Sequence, residues 1–162
     1  PKSGNRGAGH FGALDARLAE EREAKYDVEA EHAVSEWVQA VTGVRFDQSR
    51  EFGDNLRDGR RLCELVNKLR PGTIPRPNPS ALAYKQMENI SRFLKACRQL
   101  GVSESSLFET VDLYEGKDLG LVVQCLTALG RMVPISCPEY TGPQLNVEPR
   151  SPARAGPSFA SP

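Results

Sequence analysis

Residues 85–101 read KQMENISRFLKACRQLG, and apolar side chains recur in this stretch every three or four positions. This spacing lines one face of an α-helix, and the glycine at the end of the stretch closes the helix. The pattern therefore predicts a helix that packs one side against a core. Its apolar positions are Met87, Ile90, Phe93, Leu94, Cys97 and Leu100.

Three other stretches show the same helical periodicity, and no alternating period-2 run of any length competes with it. The first of these helices ends near Gly43, the second lies between Asp58-Gly59 and Pro71, and the last has Asp118 as its N-cap. Ser103 is placed to cap a further short helical turn through Leu107-Phe108. The inward positions of the three helices are Val34, Trp37, Val38 and Val41; Leu62, Leu65, Val66 and Leu69; and Leu119, Val122, Val123, Leu126 and Leu129.

The predicted fold class is all-α, with one compact helical domain at residues 26–133. Residues 1–25 form a flexible, charged N-terminal segment in this prediction. Residues 134–162 contain seven prolines in 29 positions and few large apolar side chains, so they are predicted to be a disordered Pro-rich tail. Residues 70–80 contain four prolines and are predicted to be an extended connection inside the domain.

The bulk composition argues against several classes of partner. Lys plus Arg equals Asp plus Glu, 21 against 21, so the chain lacks the basic excess of most nucleic-acid binders. The longest apolar stretch, residues 119–129, is too short to span a bilayer, and no secretion signal is apparent. Four cysteines without a C-x-x-C pair indicate reduced thiols in a cytoplasmic protein, and the three that lie on apolar helix stripes are expected to be buried.

The sequence offers little from which to build a catalytic or metal site. Phosphate-loop, dinucleotide-binding and nucleophile-elbow motifs are all absent. The acidic turn from Asp54 to Gly59 lacks the spacing of a calcium loop, so capping of the second helix is the better interpretation. His32 has no partner motif that would make it a general base. We therefore predict a protein that is not an enzyme and that carries neither a cofactor nor a metal.

Four segments in order resemble the calponin-homology family. They are the first helix around Trp37, LRDGRRLCELVNKL at residues 56–69, KQMENISRFLKA at residues 85–96 and FETVDLYEGKDL at residues 108–119. The last two are similar to the runs found in calponins and transgelins. Most of these residues have structural explanations, because the large apolar ones are expected in the core and Gly59 and Gly116 are expected in tight turns.

The resemblance implies a cytoplasmic protein of the actin cytoskeleton that binds or bundles actin filaments. Because the filaments are acidic, a basic surface is the place to look for the contact. Lys85, Arg92 and Lys95 lie on one side of the third helix, with Arg98 nearby, and they are the candidate actin-binding residues. A solvated helix face remains an alternative for these cations. For the whole domain, the alternatives are a signalling or scaffold adaptor that binds other proteins, and a microtubule-binding module.

Calponins and transgelins generally carry short repeats with a G-L-Q-M-G-like core after the domain, and residues 134–162 contain none. This departure leaves open a longer native protein, a contribution of the tail to binding, or an adaptor role. The tail has a P-x-x-P-x-R pattern typical of ligands for SH3 domains, and Ser151 precedes a proline as in proline-directed phosphorylation sites. The tail candidates are Pro149, Ser151, Pro152 and Arg154.

Overall fold

The computed structural model describes residue 14, residues 16–17 and residues 28–146 of the 162-residue chain. The described residues form helices and irregular connections, and no strand occurs among them, which confirms the all-α prediction. The helical elements are α1 at residues 28–42, α2 at Phe52–Leu56, α3 at Arg60–Leu69, α4 at Ala83–Gln99, a 3₁₀ turn at Glu104–Ser106, α5 at Thr110–Tyr114 and α6 at Leu119–Ser136.

A single hydrophobic core joins these helices. Helix α3 packs against α4, and α5 packs against α6. Met87, Tyr114 and Leu119 of the motifs are only partly buried, whereas Trp37, Phe93 and Leu113 are each almost fully buried in this core. Their burial confirms that the apolar positions of the motifs are structural, because each fills the space between two or more helices.

Helix α6 has the length and the mean hydropathy, 1.5 over 18 residues, of a membrane-spanning helix. The sequence argument that its apolar stretch is too short rested on an end at residue 129, and the helix continues for seven residues beyond that point. Eight of its residues are buried in the domain, from Val122 to Val133. A helix whose apolar side already faces a protein core is typical of the interior of a globular domain.

The predicted helix ends at Gly43, Gly101 and Asp118 agree with the structure. Gly43 has a φ of +75° and its N–H donates to the carbonyl of Gln39 at 2.8 Å, which closes α1. Gly101 has a φ of +96° and closes α4 in the same way. At the start of α6, Asp118 Oδ1 accepts a hydrogen bond from the N–H of Leu121 at 3.3 Å.

Two short helices were not predicted from the sequence. Helices α2 and α5 have five residues each, which is too short for a helical period to show in the apolar pattern. The turn after Ser103 is also shorter than expected, because the helical conformation ends at Ser106. The Ser103 hydroxyl contacts the hydroxyl groups of Ser105 and Ser106 and makes no hydrogen bond that caps the turn.

The structure corrects the predicted start of the tail at residue 134. Helix α6 passes through Pro134 to Ser136, and the following residues up to 146 lie on the domain. The indole N–H of Trp37 donates to the carbonyl of Pro143 at 3.1 Å, and the hydroxyl of Tyr140 donates to the same carbonyl at 2.8 Å. Proline content is a local signal, whereas a buried indole N–H requires a partner that only the folded chain supplies.

All four cysteines are buried free thiols, including Cys137, which the sequence places in the predicted tail. The Cys63 thiol donates a hydrogen bond to the carbonyl of Asn89 at 3.3 Å, and burial raises its pKa to about 12. Burial, together with a hydrogen bond to Cys125, also raises the pKa of Cys97. Thiols that stay protonated in this way are poor nucleophiles and poor metal ligands.

The Cys63 thiol makes the stability of the domain depend on pH. Its pKa is 9.0 as a reference value and about 12 in the fold, so between these values the unfolded chain loses a proton that the folded chain keeps. The stability contributed by the buried thiol is complete below pH 9 and is lost as the pH rises towards 12. We expect the difference in unfolding free energy between the wild type and Cys63→Ala to shrink from about pH 8 to about pH 11 in parallel urea titrations. A constant difference would contradict this.

Candidate interaction surface

Helix α4 presents a buried side to the core and an outward side to solvent. The inward side is formed by Asn89, Ile90, Phe93, Leu94, Ala96 and Cys97. Lys85 and Arg92 are seven positions apart and therefore lie close to the same line of the helix, where both are half-buried, and the exposed Lys95 lies beside Arg92. We call Lys85, Arg92 and Lys95 the basic face.

Two residues of the basic face already contact neighbouring side chains. Arg92 Nη2 lies 3.5 Å from Glu88 Oε2 in an i, i+4 pair, and the two side chains are 33% and 45% exposed. The Lys85 ammonium lies 5.5 Å from the centroid of the Tyr84 ring. An exposed helix pair of this kind contributes about 0.3–0.5 kcal/mol, so Arg92 is easily redirected to another anion.

Lys95 and Arg98 differ in whether an acidic side chain forms an ion pair with them. Lys95 is exposed and has no ion pair within residues 28–146. Arg98 Nε lies 2.6 Å from Glu104 Oε2, at the 3₁₀ turn after the helix. Arg98 is therefore held towards the end of the domain, and it is separate from the basic face.

A shallow groove of about 230 Å³ lies beside the basic face. One wall is the outward side of α4 and the other is the proline-rich connection that follows α3. This connection is held by Asn67, whose side chain donates to the carbonyl of Ile74 and accepts from its N–H, both at 2.9 Å. The groove is lined by Thr73, Ile74, Pro75, Arg92, Lys95, Ala96 and Gln99.

The buried side chain of Asn89 holds α4 against the rest of this surface. Its Nδ2 donates to the carbonyls of Asp58 and Asn78, both at 2.9 Å, and its Oδ1 accepts from the N–H of Asn78 at 2.8 Å. The side chain thus joins α4, the proline-rich connection and the turn before α3. Sequence reasoning missed this residue, although an asparagine between Met87 and Ile90 in the apolar stripe was a visible signal.

The N-cap residue of α3 is Gly59, which makes no side-chain capping hydrogen bond, and the acidic turn contacts the helix from the residue before Gly59. Asp58 Oδ1 accepts a hydrogen bond from the N–H of Arg60 at 3.0 Å. The side-chain amide of Asn55 donates to the carbonyls of Asp47, Arg50 and Glu51. Within the described residues, no group of three or more His, Cys, Asp or Glu side chains is placed to hold a metal ion.

Contacts of one arginine and one aspartate side chain give the FETVDLYEG motif a structural role. Arg57 Nε donates to the carbonyl of Tyr114 at 2.9 Å, and its guanidinium lies 4.2 Å from the centroid of the Tyr114 ring. Asp112 Oδ2 accepts from the N–H of Glu109 at 2.8 Å in a capping box at the start of α5. The motif thus links α5 to the turn before α3.

The tail candidates Pro149, Ser151, Pro152 and Arg154 lie outside the described residues. The structure places Arg92 and Lys95 beside one groove, with Lys85 about two turns away along α4 and Arg98 paired with Glu104. The SH3-ligand and phosphorylation hypotheses stay predictions from sequence.

Residues 28–135 match the calponin homology (CH) domain family. The chain is 43% identical over 133 residues to myophilin of Echinococcus granulosus, which covers 82% of this chain and 70% of myophilin. It is 38% identical over 137 residues to muscle-specific protein 20 of Drosophila melanogaster, which covers 85% and 72% of the two chains.

The chain is also similar to part of a much larger protein and to a solved structure. The chain is 40% identical over 119 residues to Rac guanine nucleotide exchange factor B of Dictyostelium discoideum, which covers 74% of this chain but 10% of the exchange factor. The fold is similar to the calponin-homology domain of Rng2 from Schizosaccharomyces pombe, with a TM-score of 0.62 and 26% identity, over 75% of this chain and 76% of that chain.

The fold and these similarities define a helical binding module of the cytoskeletal, actin-associated class. The chain belongs to the calponin-homology family and carries a single domain of the calponin/transgelin type.

Proposed function

We propose that this protein binds actin filaments through the basic face, as a cytoplasmic component of the actin cytoskeleton. The observation that carries the proposal is the exposed ammonium of Lys95, which has no ion pair within residues 28–146 on a helix of a calponin/transgelin-type domain. A charge without an intramolecular partner gains more from an acidic partner than one already paired.

The charge distribution supports a local contact. The whole chain has no net charge, so long-range attraction between the protein and an acidic filament is weak. Attraction must come from a cluster within about one Debye length, roughly 8–10 Å at physiological salt. Arg92 and Lys95 provide such a cluster, because they are three positions apart on one helix and line the same groove, whereas Lys85 lies about two turns away along α4.

Reversing two charges of the basic face is expected to weaken filament binding about tenfold or more. The variant is Arg92→Glu/Lys95→Glu, which turns two attractive contacts into repulsive ones on an exposed surface that does not support the core. Affinity is measured by co-sedimentation with filaments at several salt concentrations, and wild-type binding is expected to weaken as salt rises.

The matched control is Lys117→Glu/Arg131→Glu, which makes the same change in net charge on exposed residues outside α4. Equal losses from the two double variants would show that net charge alone governs binding and would contradict a specific site on α4. Absence of wild-type pelleting, in a chain with its native C-terminus, would overturn the proposed function. Pelleting at low speed tests bundling separately from filament binding.

The contribution of the tail is tested by ending the chain at residue 146. That end keeps the contacts of Trp37 and Tyr140 with Pro143, which an end at residue 133 would remove. A loss of pelleting in the shortened chain would place part of the contact after residue 146. Unchanged pelleting would confine it to the domain.

The second candidate function is a signalling or scaffold adaptor that binds proteins other than actin. The similarity to a Rac guanine nucleotide exchange factor favours it, because a domain of this sequence type occurs there as a tenth of a much larger protein. The adaptor hypothesis predicts that the wild-type chain fails to pellet with filaments at any salt concentration.

A further inference from the structure

Four successive apolar residues are exposed at the start of α4. Ala81, Leu82, Ala83 and Tyr84 all face solvent, and the two large side chains are 58% and 65% exposed. We call these four residues the apolar patch. Single exposed apolar residues are common on soluble proteins, but a run of four is unfavourable unless it serves a contact.

Leu82 is also a poor choice for the local structure. It occupies the N-cap position of α4, and no side chain caps this end of the helix. Ser, Thr, Asp or Asn at an N-cap would accept a hydrogen bond from one of the free N–H groups of the first turn, which leucine cannot do. Neither burial nor capping explains a leucine at this position.

The apolar patch is continuous with the basic face. Lys85 follows Tyr84 directly in sequence, and its ammonium lies 5.5 Å from the centroid of the tyrosine ring. An aromatic ring and an aliphatic side chain beside a half-buried lysine is a composition typical of the energetic centre of a protein interface.

We infer that the apolar patch forms the apolar centre of the filament-binding surface, with the basic face beside it as the charged rim. The inference rests on the proposed function and names further contact residues for the same partner. Actin is the partner because the adjacent cations complement an acidic surface. In such an interface the rim charges mainly raise the association rate, whereas the apolar contacts slow dissociation.

The test replaces the two large residues of the apolar patch in Leu82→Ser and Tyr84→Ser. Each is expected to weaken co-sedimentation with filaments about tenfold. Leu82→Ser introduces a favourable N-cap, so its melting temperature is expected to equal or exceed that of the wild type while its affinity falls. A structural role for the leucine would lower both together.

The matched control is Ile135→Ser, which removes an apolar side chain that is 72% exposed on α6. Wild-type affinity in the control and weak binding in the two patch variants would support the inference. If all three variants pellet like the wild type, the inference is overturned and the proposed function stands. If the wild type itself does not pellet, both are overturned.

The dependence of binding on salt concentration distinguishes the contribution of the apolar patch from that of the basic face. The loss caused by Tyr84→Ser is expected to be the same at low and high salt, because it removes apolar contact. The loss caused by Arg92→Glu/Lys95→Glu is expected to diminish as salt rises. A patch variant whose defect disappears at high salt would show that the ring acts only by positioning the Lys85 ammonium, and would contradict an apolar contact.

Discussion

Gly59→Ala is expected to destabilise the domain by about 3 kcal/mol, which lowers the melting temperature by roughly 10 °C. Gly59 has a φ of +76°, where a side chain costs about 1 kcal/mol or more. A Cβ atom there would lie 2.6 Å from the Cβ of Asn89 and 2.8 Å from the backbone nitrogen of Ile90. Because backbone atoms of α4 cannot rotate away, the helix itself must move, which adds about 2 kcal/mol.

The control for this prediction is Gly116→Ala. Gly116 has a similar φ of +68°, but no atom lies within 4 Å of the position that its Cβ would take. This variant therefore isolates the conformational term and is expected to cost about 1 kcal/mol. Urea unfolding of both variants gives the difference directly. Equal losses would mean that α4 does not approach the turn before α3 as closely as the structure shows.

Asn89→Ala is expected to destabilise the domain by about 3–4 kcal/mol. The substitution removes three hydrogen bonds at once and leaves both backbone groups of Asn78 and the carbonyl of Asp58 without the partner that they have in the fold. Buried or half-buried backbone groups that lose a partner cost more than the net value of a hydrogen bond.

Ser91→Ala is the control for Asn89→Ala. Ser91 is exposed on α4, and its hydroxyl makes no hydrogen bond within residues 28–146. A change within about 0.5 kcal/mol is expected there. A loss below about 1 kcal/mol for Asn89→Ala would show that water replaces the amide in all three bonds. Chemical denaturation followed by the single tryptophan, Trp37, is a suitable measurement.

The two predictions concern one junction, and this junction positions the candidate site. Gly59 allows the turn before α3 to approach α4, and Asn89 binds that turn and the proline-rich connection from the other side. The same connection forms one wall of the groove beside the basic face. We therefore expect variants at this junction to weaken filament binding through loss of folded domain, whereas variants of the apolar patch weaken it with the domain intact.

The long helices and the family could be predicted from the sequence because both depend on local information. Apolar residues at helical spacing mark the buried side of α4 before any partner helix is known. Glycine and aspartate mark the helix ends through their own backbone preferences, as Gly101 and Asp118 do. Four motifs in order then identified the calponin-homology family, and the domain match to residues 28–135 confirmed it.

Contacts between distant parts of the chain decided what the sequence could not determine. In the sequence nothing shows which groups Asn89 contacts, and only the fold brings the carbonyls of Asp58 and Asn78 to its side chain. By composition the proline-rich residues after α6 resemble a tail, but in the fold the carbonyl of Pro143 accepts a hydrogen bond from Trp37. From its position in the helix, Arg98 is expected beside the other cations, but its side chain forms an ion pair with Glu104. Local pattern encodes which side of a helix is buried, and only tertiary packing determines which polar groups meet and which apolar residues, such as those of the patch, stay exposed.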